Sequence, residues 1–386
     1  MDCSGDKDFL IFCFDQEPFN YIYNLETFEE FDKTTYYNER SFDAPSTTIF
    51  SQILQETIEI DTKKILFSMP RPTILLNTEK DSEIKNKFLK KFNYIDCYYF
   101  FHALAAADWF RGYQYSYNIT PIKQRKITKK FISFNRITGS SRIYRAFFVN
   151  MLYEKNLLDK GYISFSKICP VHGNIIPSAL TALSNYQIDN FFINRFLKNI
   201  KLIPDLRIDT PENSVISNDS FQIGGIEQAM QSFVHVVTET CFWESKKHLT
   251  EKIFKPIVLK QPFVLLGCAN NLSYFKEYGF KTFDRWWDES YDKCEDPLQR
   301  IGMVVKILEN LSKLSNQQLQ AMLIEMEEVL EYNYALFYSK QFIKSIWGEL
   351  KTNLDSAIAQ AEILTTYEDL NQDYLPRLQY AQTDRR

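Results

Sequence analysis

The sequence predicts an α/β fold with largely parallel sheets, arranged as two α/β domains and followed by C-terminal helices. Three observations carry this. Short apolar runs alternate with longer amphipathic ones along most of the 386 residues, the pattern of strands joined by crossover helices. A hydrophobic content of 45% is enough to build real cores and excludes disorder as the main state. From Gln299 onward the apolar residues change to helical spacing, as in Met303, Ile307 and Leu311 and then Leu319, Met322, Met326 and Leu330.

Taken in order, strands are expected at Phe9 to Phe14, Thr73 to Asn77 and Ile95 to Phe101, with a helix over Ser82 to Phe92. Between Gln114 and Lys130 the alternation lapses into a polar stretch with Pro121 and the cations Lys123, Arg125, Lys126, Lys129 and Lys130, which reads as a solvated linker and places a domain boundary. The alternation then restarts. Strand Phe131 to Phe134 is followed by a helix from Arg142 to Tyr153, strand Tyr162 to Phe165 and, further on, strand Phe233 to Val237. A helix opens at Glu251, with Pro256 inside it predicting a kink or an early end. Strand Phe263 to Leu266, a helix near Leu272 to Tyr278 and a short strand Lys281 to Phe283 complete the second domain, and the tail is expected to be helical to about Glu362. The resulting division is an N-terminal α/β domain over 1–122, a second α/β domain over 123–318 and a helical segment over 319–386.

Composition narrows the function. Lys and Arg number 45 against 49 Asp and Glu, a net charge of -4, so no global basic field exists to hold nucleic acid and any anion site must be local. No apolar run approaches the roughly 20 residues of a membrane span. The start of the chain lacks the basic flank and apolar length of a secretory signal. Seven cysteines, an odd count with no CxxC pair, argue against a disulfide framework or a structural zinc site and for a reducing, cytoplasmic setting. Neither GxGxxG nor GxxxxGK[ST] is present.

Two parallel α/β domains point to a ligand cleft beyond the carboxyl ends of strands. Strand Phe131 to Phe134 ends in Asn135 and Arg136, and a loop leads through Ser140 or Ser141 as N-cap into a helix whose first turns carry Arg142 and Arg145. Cations there oppose the helix dipole; an anionic ligand would resolve the conflict, and so would an arginine that extends into solvent. A second cluster of this kind is Thr250, Glu251 and Lys252, with Thr250 as cap. A carboxylate beside an ammonium suits a nucleoside diphosphate, Glu251 accepting from ribose hydroxyls and Lys252 facing phosphate; an ordinary surface ion pair fits the same two residues.

These residues carry a resemblance. The stretches Thr238-Glu-Thr240, Leu249-Thr-Glu-Lys-Ile-Phe-Lys-Pro256, Gln261-Pro-Phe-Val-Leu-Leu-Gly267 and Gly279-Phe-Lys-Thr-Phe283 resemble the donor-binding region of GT-B glycosyltransferases, and are most similar to the α-1,3-fucosyltransferases. Asn135 to Arg142 resembles their strand-loop-helix arginine motif, while Trp286, Trp287, Asp288 and Glu289 are more similar to a subgroup of microbial and phage glycosyltransferases. The resemblance implies a GT-B-like fold of two Rossmann-like domains facing a cleft. It further implies that Glu251 binds ribose, that Lys252 binds ribose or diphosphate, and that Arg142, with Arg145 as competitor, neutralises the β-phosphate. A GDP-sugar, with fucose favoured, is the implied co-substrate, and a glycan or other hydroxyl compound the acceptor.

Glu17 and Glu79, each following a strand, are the candidates for the catalytic base. The family favours Glu17, whereas Glu79 beside Lys80 also fits a capping or salt-bridge role. No DxD motif follows a strand, so no metal or other cofactor is expected. The expectation is an inverting, metal-independent glycosyltransferase; the alternative is a noncatalytic carbohydrate-binding or structural protein on the same fold. If Glu17 is the base, Glu17→Gln retains nucleotide binding and loses roughly 100-fold or more in turnover, while Glu79→Gln loses less. Steady-state transfer rates at saturating donor separate the two carboxylates.

Overall fold

The computed structural model of the chain describes residues 10–15, 73–78, 93–96, 100, 102–103, 106, 110, 117, 119–208, 223–243, 246–346, 348–349, 351–353 and 355–356, the first three spans in backbone. The chain divides into two compact units, Met1–Tyr99 with Lys344–Arg386, and Phe100–Ile343. The second unit therefore takes in residues on both sides of 122 and of 319.

In the first unit, β1 (Leu10–Asp15), β2 (Thr73–Thr78) and β3 (Asn93–Asp96) form a parallel sheet in that order. Asp15 lies opposite Thr78, so β1 and β2 end side by side, and Thr73 lies opposite Asn93. The third strand thus begins earlier than its apolar run suggests. Phe100, expected at its far end, is instead buried in the second unit, tilted against Phe254 at 5.7 Å and Tyr274 at 5.5 Å. The whole of the expected helix Ser82 to Phe92, together with Glu17 and Glu79, falls outside the described residues.

The second unit contains β4 (Lys129–Ser133), β5 (Gly161–Ile163), a two-stranded antiparallel ribbon of β6 (Ile168–Cys169) and β7 (Gly173–Asn174), β8 (Ser232–Thr238) and β9 (Phe263–Leu266). Its main sheet is parallel throughout, in the order β5-β4-β8-β9. Every residue of β8 and β9 is buried, which is why β9 reads as a continuous apolar run and β8 as one interrupted only by His235 between Phe233 and Val237. The helices are α1 (Tyr144–Glu154), α2 (Ile175–Asn185), α3 (Asn190–Asn199), α4 (Ile226–Met230), α5 (Phe254–Val258), α6 (Asn271–Glu277), α7 (Pro297–Ser312), α8 (Asn316–Glu325) and α9 (Glu327–Phe337). Helix α7 packs on α1, β4 and β9, and α9 packs on α5. A helix-flanked parallel sheet of this kind is compatible with a Rossmann-like fold. At the sheet edge Gly161 is required sterically, since a Cβ there would lie 2.4 Å from the Phe131 ring.

Three sequence expectations are corrected. Lys281 to Phe283 is not a strand: the Asn333 side chain accepts from Lys281 N at 2.9 Å and donates to Lys281 O at 2.8 Å, so an amide on α9 replaces a neighbouring strand. The helical tail is broken at Lys313–Ser315, where Ser315 and Gln318 form a capping box that starts α8. Arg125 is no solvated linker residue. It is 5% exposed, and its guanidinium donates to the carbonyls of Thr120, Lys260 and Leu259 at 2.9, 2.8 and 2.8 Å. Burial lowers its pKa to about 10, with Glu331 opposing the shift. The helix at Pro256 does end early, α5 being five residues long. Among the described residues no helix is long and apolar enough to cross a membrane.

Arg125→Ala removes the charged donor from one buried and two part-buried carbonyls, and the expected loss is about 2–4 kcal/mol in equilibrium denaturation. Arg125→Lys recovers only part of it, because one ammonium does not reproduce the planar fork.

Candidate functional site

The candidate residues of the second unit lie in segments that leave the carboxyl ends of β4 and β8, adjacent strands of the sheet. Just past β4, Asn135 is almost fully buried. Its backbone N–H donates to Ser164 Oγ at 2.7 Å and its Nδ2 to Ser133 Oγ at 3.1 Å, while Oδ1 has no partner among the described residues. The segment then enters a 3-10 turn, Ser140–Ile143, that runs into α1.

Neither serine caps this turn as expected. Gly139 occupies the N-cap, Ser140 adopts φ 53° and gives its amide to Ser178 Oγ on α2 at 2.8 Å, and the Ser141 carbonyl accepts from Trp243 Nε1 at 2.6 Å. Arg142 is half-buried on the turn. Arg145 is 4% exposed and donates to the carbonyls of Ile137, Thr238 and Glu239 at 3.0, 2.9 and 2.8 Å. Its conflict with the helix dipole is therefore met by carbonyls of the two strand-end segments. The neighbouring Tyr144 hydroxyl also donates to the Glu239 carbonyl, and its ring stacks on Phe242 at 4.1 Å. Burial raises the pKa of Tyr144 to about 12, against the pull of Arg145.

After β8 the chain runs Glu239, Thr240 and on to Thr250, Glu251 and Lys252. Thr250 caps a 3-10 turn, Glu251–Ile253, its hydroxyl accepting from Lys252 N at 3.4 Å. The turn passes directly into α5, and the two together are too short for a substantial helix dipole, so the electrostatics here come from side chains. Lys252 Nζ is 3.0 Å from Glu251 Oε1, 3.0 Å from Thr240 Oγ1 and 3.1 Å from Thr250 Oγ1. The Glu251–Lys252 pair is not a surface ion pair, since Glu251 is 5% exposed. Burial alone would raise the Glu251 pKa, but Lys252, Lys255 and His102 outweigh it and hold the carboxyl at about 2.

Several participants were not assigned roles from sequence. Glu239 is 0% exposed: Oε1 accepts from Thr250 N at 3.2 Å, and Oε2 from Thr240 N at 3.2 Å and Thr250 Oγ1 at 2.6 Å. Its signal was available, a carboxylate separated only by Thr238 from the largely apolar run Phe233 to Val237. His102, one residue past the strand expected over Ile95 to Phe101, is helical and meets His248 edge-on at 5.6 Å, both rings buried. His248 is fixed by the Asn271 amide, which accepts from its N at 3.1 Å and donates to its O at 2.7 Å. Gly267 leaves room for this packing: a Cβ there would lie 3.0 Å from Asn271 Nδ2 and 3.3 Å from Glu239 Cβ. An open groove between Thr120–Lys126 and α4 lies toward the opposite, amino-terminal end of β8.

The arrangement presents two cationic side chains, Arg142 and Lys252, with hydroxyls and the ionised Glu251, a set suited to an anionic ligand that also carries hydroxyl groups. Among the described residues no group of three His, Cys, Asp or Glu is placed to hold a metal ion. In comparisons with known proteins, the chain matches no family model, no curated protein and no solved structure.

The folded pKa of Glu251 lies below the ordinary 4.5, so its ionised form stabilises the fold above that value, and the stability is lost as pH falls through about 2. The contribution is on the order of 3 kcal/mol. In urea denaturation, the stability gap between wild type and Glu251→Gln is expected to be constant above about pH 5 and to narrow as pH is lowered toward about 3.

Proposed function

We propose that the chain is a glycosyltransferase of GT-B type that takes a nucleotide-diphosphate sugar, with a GDP-sugar and fucose favoured, and transfers the sugar to a hydroxyl acceptor with inversion and without a metal. The observation that carries the reading is that Asn135 and Arg142 lie on the segment leaving β4, and Thr250, Glu251 and Lys252 on the segment leaving the adjacent parallel strand β8, with Arg145 tying the two segments together. The resemblance of the Thr250-Glu-Lys252 and Asn135 to Arg142 segments to fucosyltransferase donor motifs supports it independently.

In this reading the acceptor oxygen attacks the anomeric carbon and the bond from that carbon to the β-phosphate oxygen breaks. The acceptor proton passes to a carboxylate, for which Glu17 and Glu79 are the candidates. The departing diphosphate gains negative charge as the bond breaks, and fixed cations stabilise it at that moment. Lys252 and Arg142 are assigned that work. Arg145 is assigned a supporting role, because its fork already serves three carbonyls. Glu251, ionised at any physiological pH, accepts from ribose hydroxyls.

One observation favours the noncatalytic alternative: the three protons of the Lys252 ammonium already have three acceptors within the chain. Turnover distinguishes the two readings, and binding tests what they share. A thermal-shift panel of GDP, UDP, CMP and dTDP is expected to raise Tm selectively with one nucleoside diphosphate. Lys252→Ala and Arg142→Ala should each weaken that ligand by roughly 10- to 100-fold, the scale of one charge-assisted hydrogen bond. Lys252→Ala also lowers the unliganded Tm, because it leaves the buried Glu251 carboxylate without its nearest cation, so affinities are compared below both unfolding transitions. No shift with any nucleotide, or unchanged affinity in both variants, would sink the proposal.

A further inference from the structure

We propose that Glu239 is a positioning residue that fixes the Lys252 ammonium through the hydroxyls of Thr240 and Thr250; its use in phosphate binding rests on the nucleotide-diphosphate reading above. Glu239 is shut off from solvent, and both carboxylate oxygens are met by donors of the chain, Thr250 N on Oε1 and Thr240 N with Thr250 Oγ1 on Oε2. A carboxylate only accepts, so the 2.6 Å contact must carry the hydroxyl proton of Thr250 toward Glu239. The lone pairs of that oxygen are then turned toward Lys252, whose backbone N and Nζ lie 3.4 and 3.1 Å away. The second arm runs through the backbone of Thr240, held by Glu239 Oε2, to its hydroxyl, 3.0 Å from Lys252 Nζ.

Two of the three acceptors around the ammonium are therefore set by one buried side chain, and the third is Glu251. An arriving phosphate oxygen can take the place of Glu251 while both hydroxyl contacts remain, which keeps the ammonium aimed and releases Glu251 to accept elsewhere. An amide at position 239 cannot reproduce this. Whichever oxygen is replaced by NH₂, the new donor faces a backbone N–H, and on the Oε2 side it also faces the Thr250 hydroxyl.

The tether can be read without assuming any ligand. Acylation of Lys252 by an N-hydroxysuccinimide ester, followed by peptide mass spectrometry on the full chain, reports how firmly the ammonium is held. Thr240→Val keeps the backbone N–H to Glu239 and removes only the hydroxyl, and Thr250→Ser keeps the hydroxyl. The expected result is a rise in Lys252 labelling of roughly 2- to 10-fold in Glu239→Gln and Thr240→Val, the factor carried by one lost hydrogen bond, with Thr250→Ser close to wild type. Labelling unchanged in Thr240→Val and in folded Glu239→Gln overturns the proposal, and Thr240→Val alone decides it if Glu239→Gln does not fold. Calorimetric titration with GDP, UDP and inorganic pyrophosphate is expected to show affinity falling in the same variants by about 10-fold. If labelling rises as expected while none of the three probes binds wild type, the nucleotide reading fails and the tether stands.

Discussion

Glu239 sits where β8 leaves the sheet, without solvent contact, and an acceptor-only group in that position must find its donors within the chain. Its side chain takes two backbone amides and a hydroxyl from the segment that carries Lys252, and its carbonyl takes the Tyr144 hydroxyl and the Arg145 guanidinium from α1. One residue thus couples the segment beyond β4 to the segment beyond β8. Its side chain holds Thr240 and Thr250, while its main-chain carbonyl shares Arg145 with those of Ile137 and Thr238. The small residue at Gly267 and the amide of Asn271 complete the constraint by filling the space beside the carboxylate.

The electrostatics of the unit follow a repeated solution. Arg125, Arg145 and Arg300 are all buried, and each directs its guanidinium to backbone carbonyls rather than to a carboxylate. Arg300 also lies over the Phe242 ring at 4.5 Å, the ring on which Tyr144 stacks. A planar fork with five donors can close several loop ends at once, which a lysine cannot do. Against this background Lys252 is different in kind: its partners are side chains, and it retains partial exposure.

Much of the second unit was legible in the linear sequence. Strands at Phe131, Phe233 and Phe263, the cap at Thr250 and the early helix end at Pro256 all follow from local rules of hydrophobic runs, capping and proline geometry, and all are found. Apart from the break in the helical tail, which the local capping box of Ser315 and Gln318 makes, the failures have a common cause. The strand expected at Lys281, the serine caps before α1 and the solvated reading of Arg125 each concern a polar group whose partner lies far away in the chain. Asn333, Ser178 and Leu259 supplied those partners, and no window around the residue in question contains them.

By itself, then, the sequence determined where along the chain the four strands of the main sheet fall and the clustering of chemistry-bearing residues just past strand ends, because burial of apolar runs and the caps that bound them are local properties. Only the tertiary structure decided which of those residues are held by backbone carbonyls and which by side chains. Arg142 and Arg145 are three positions apart and look equivalent in sequence. Arg145 meets the Glu239 carbonyl 94 residues along the chain, and that contact exists only once β4 and β8 pair. Hydrogen bonding discriminates between polar groups by position in space, and position in space is what the sheet supplies.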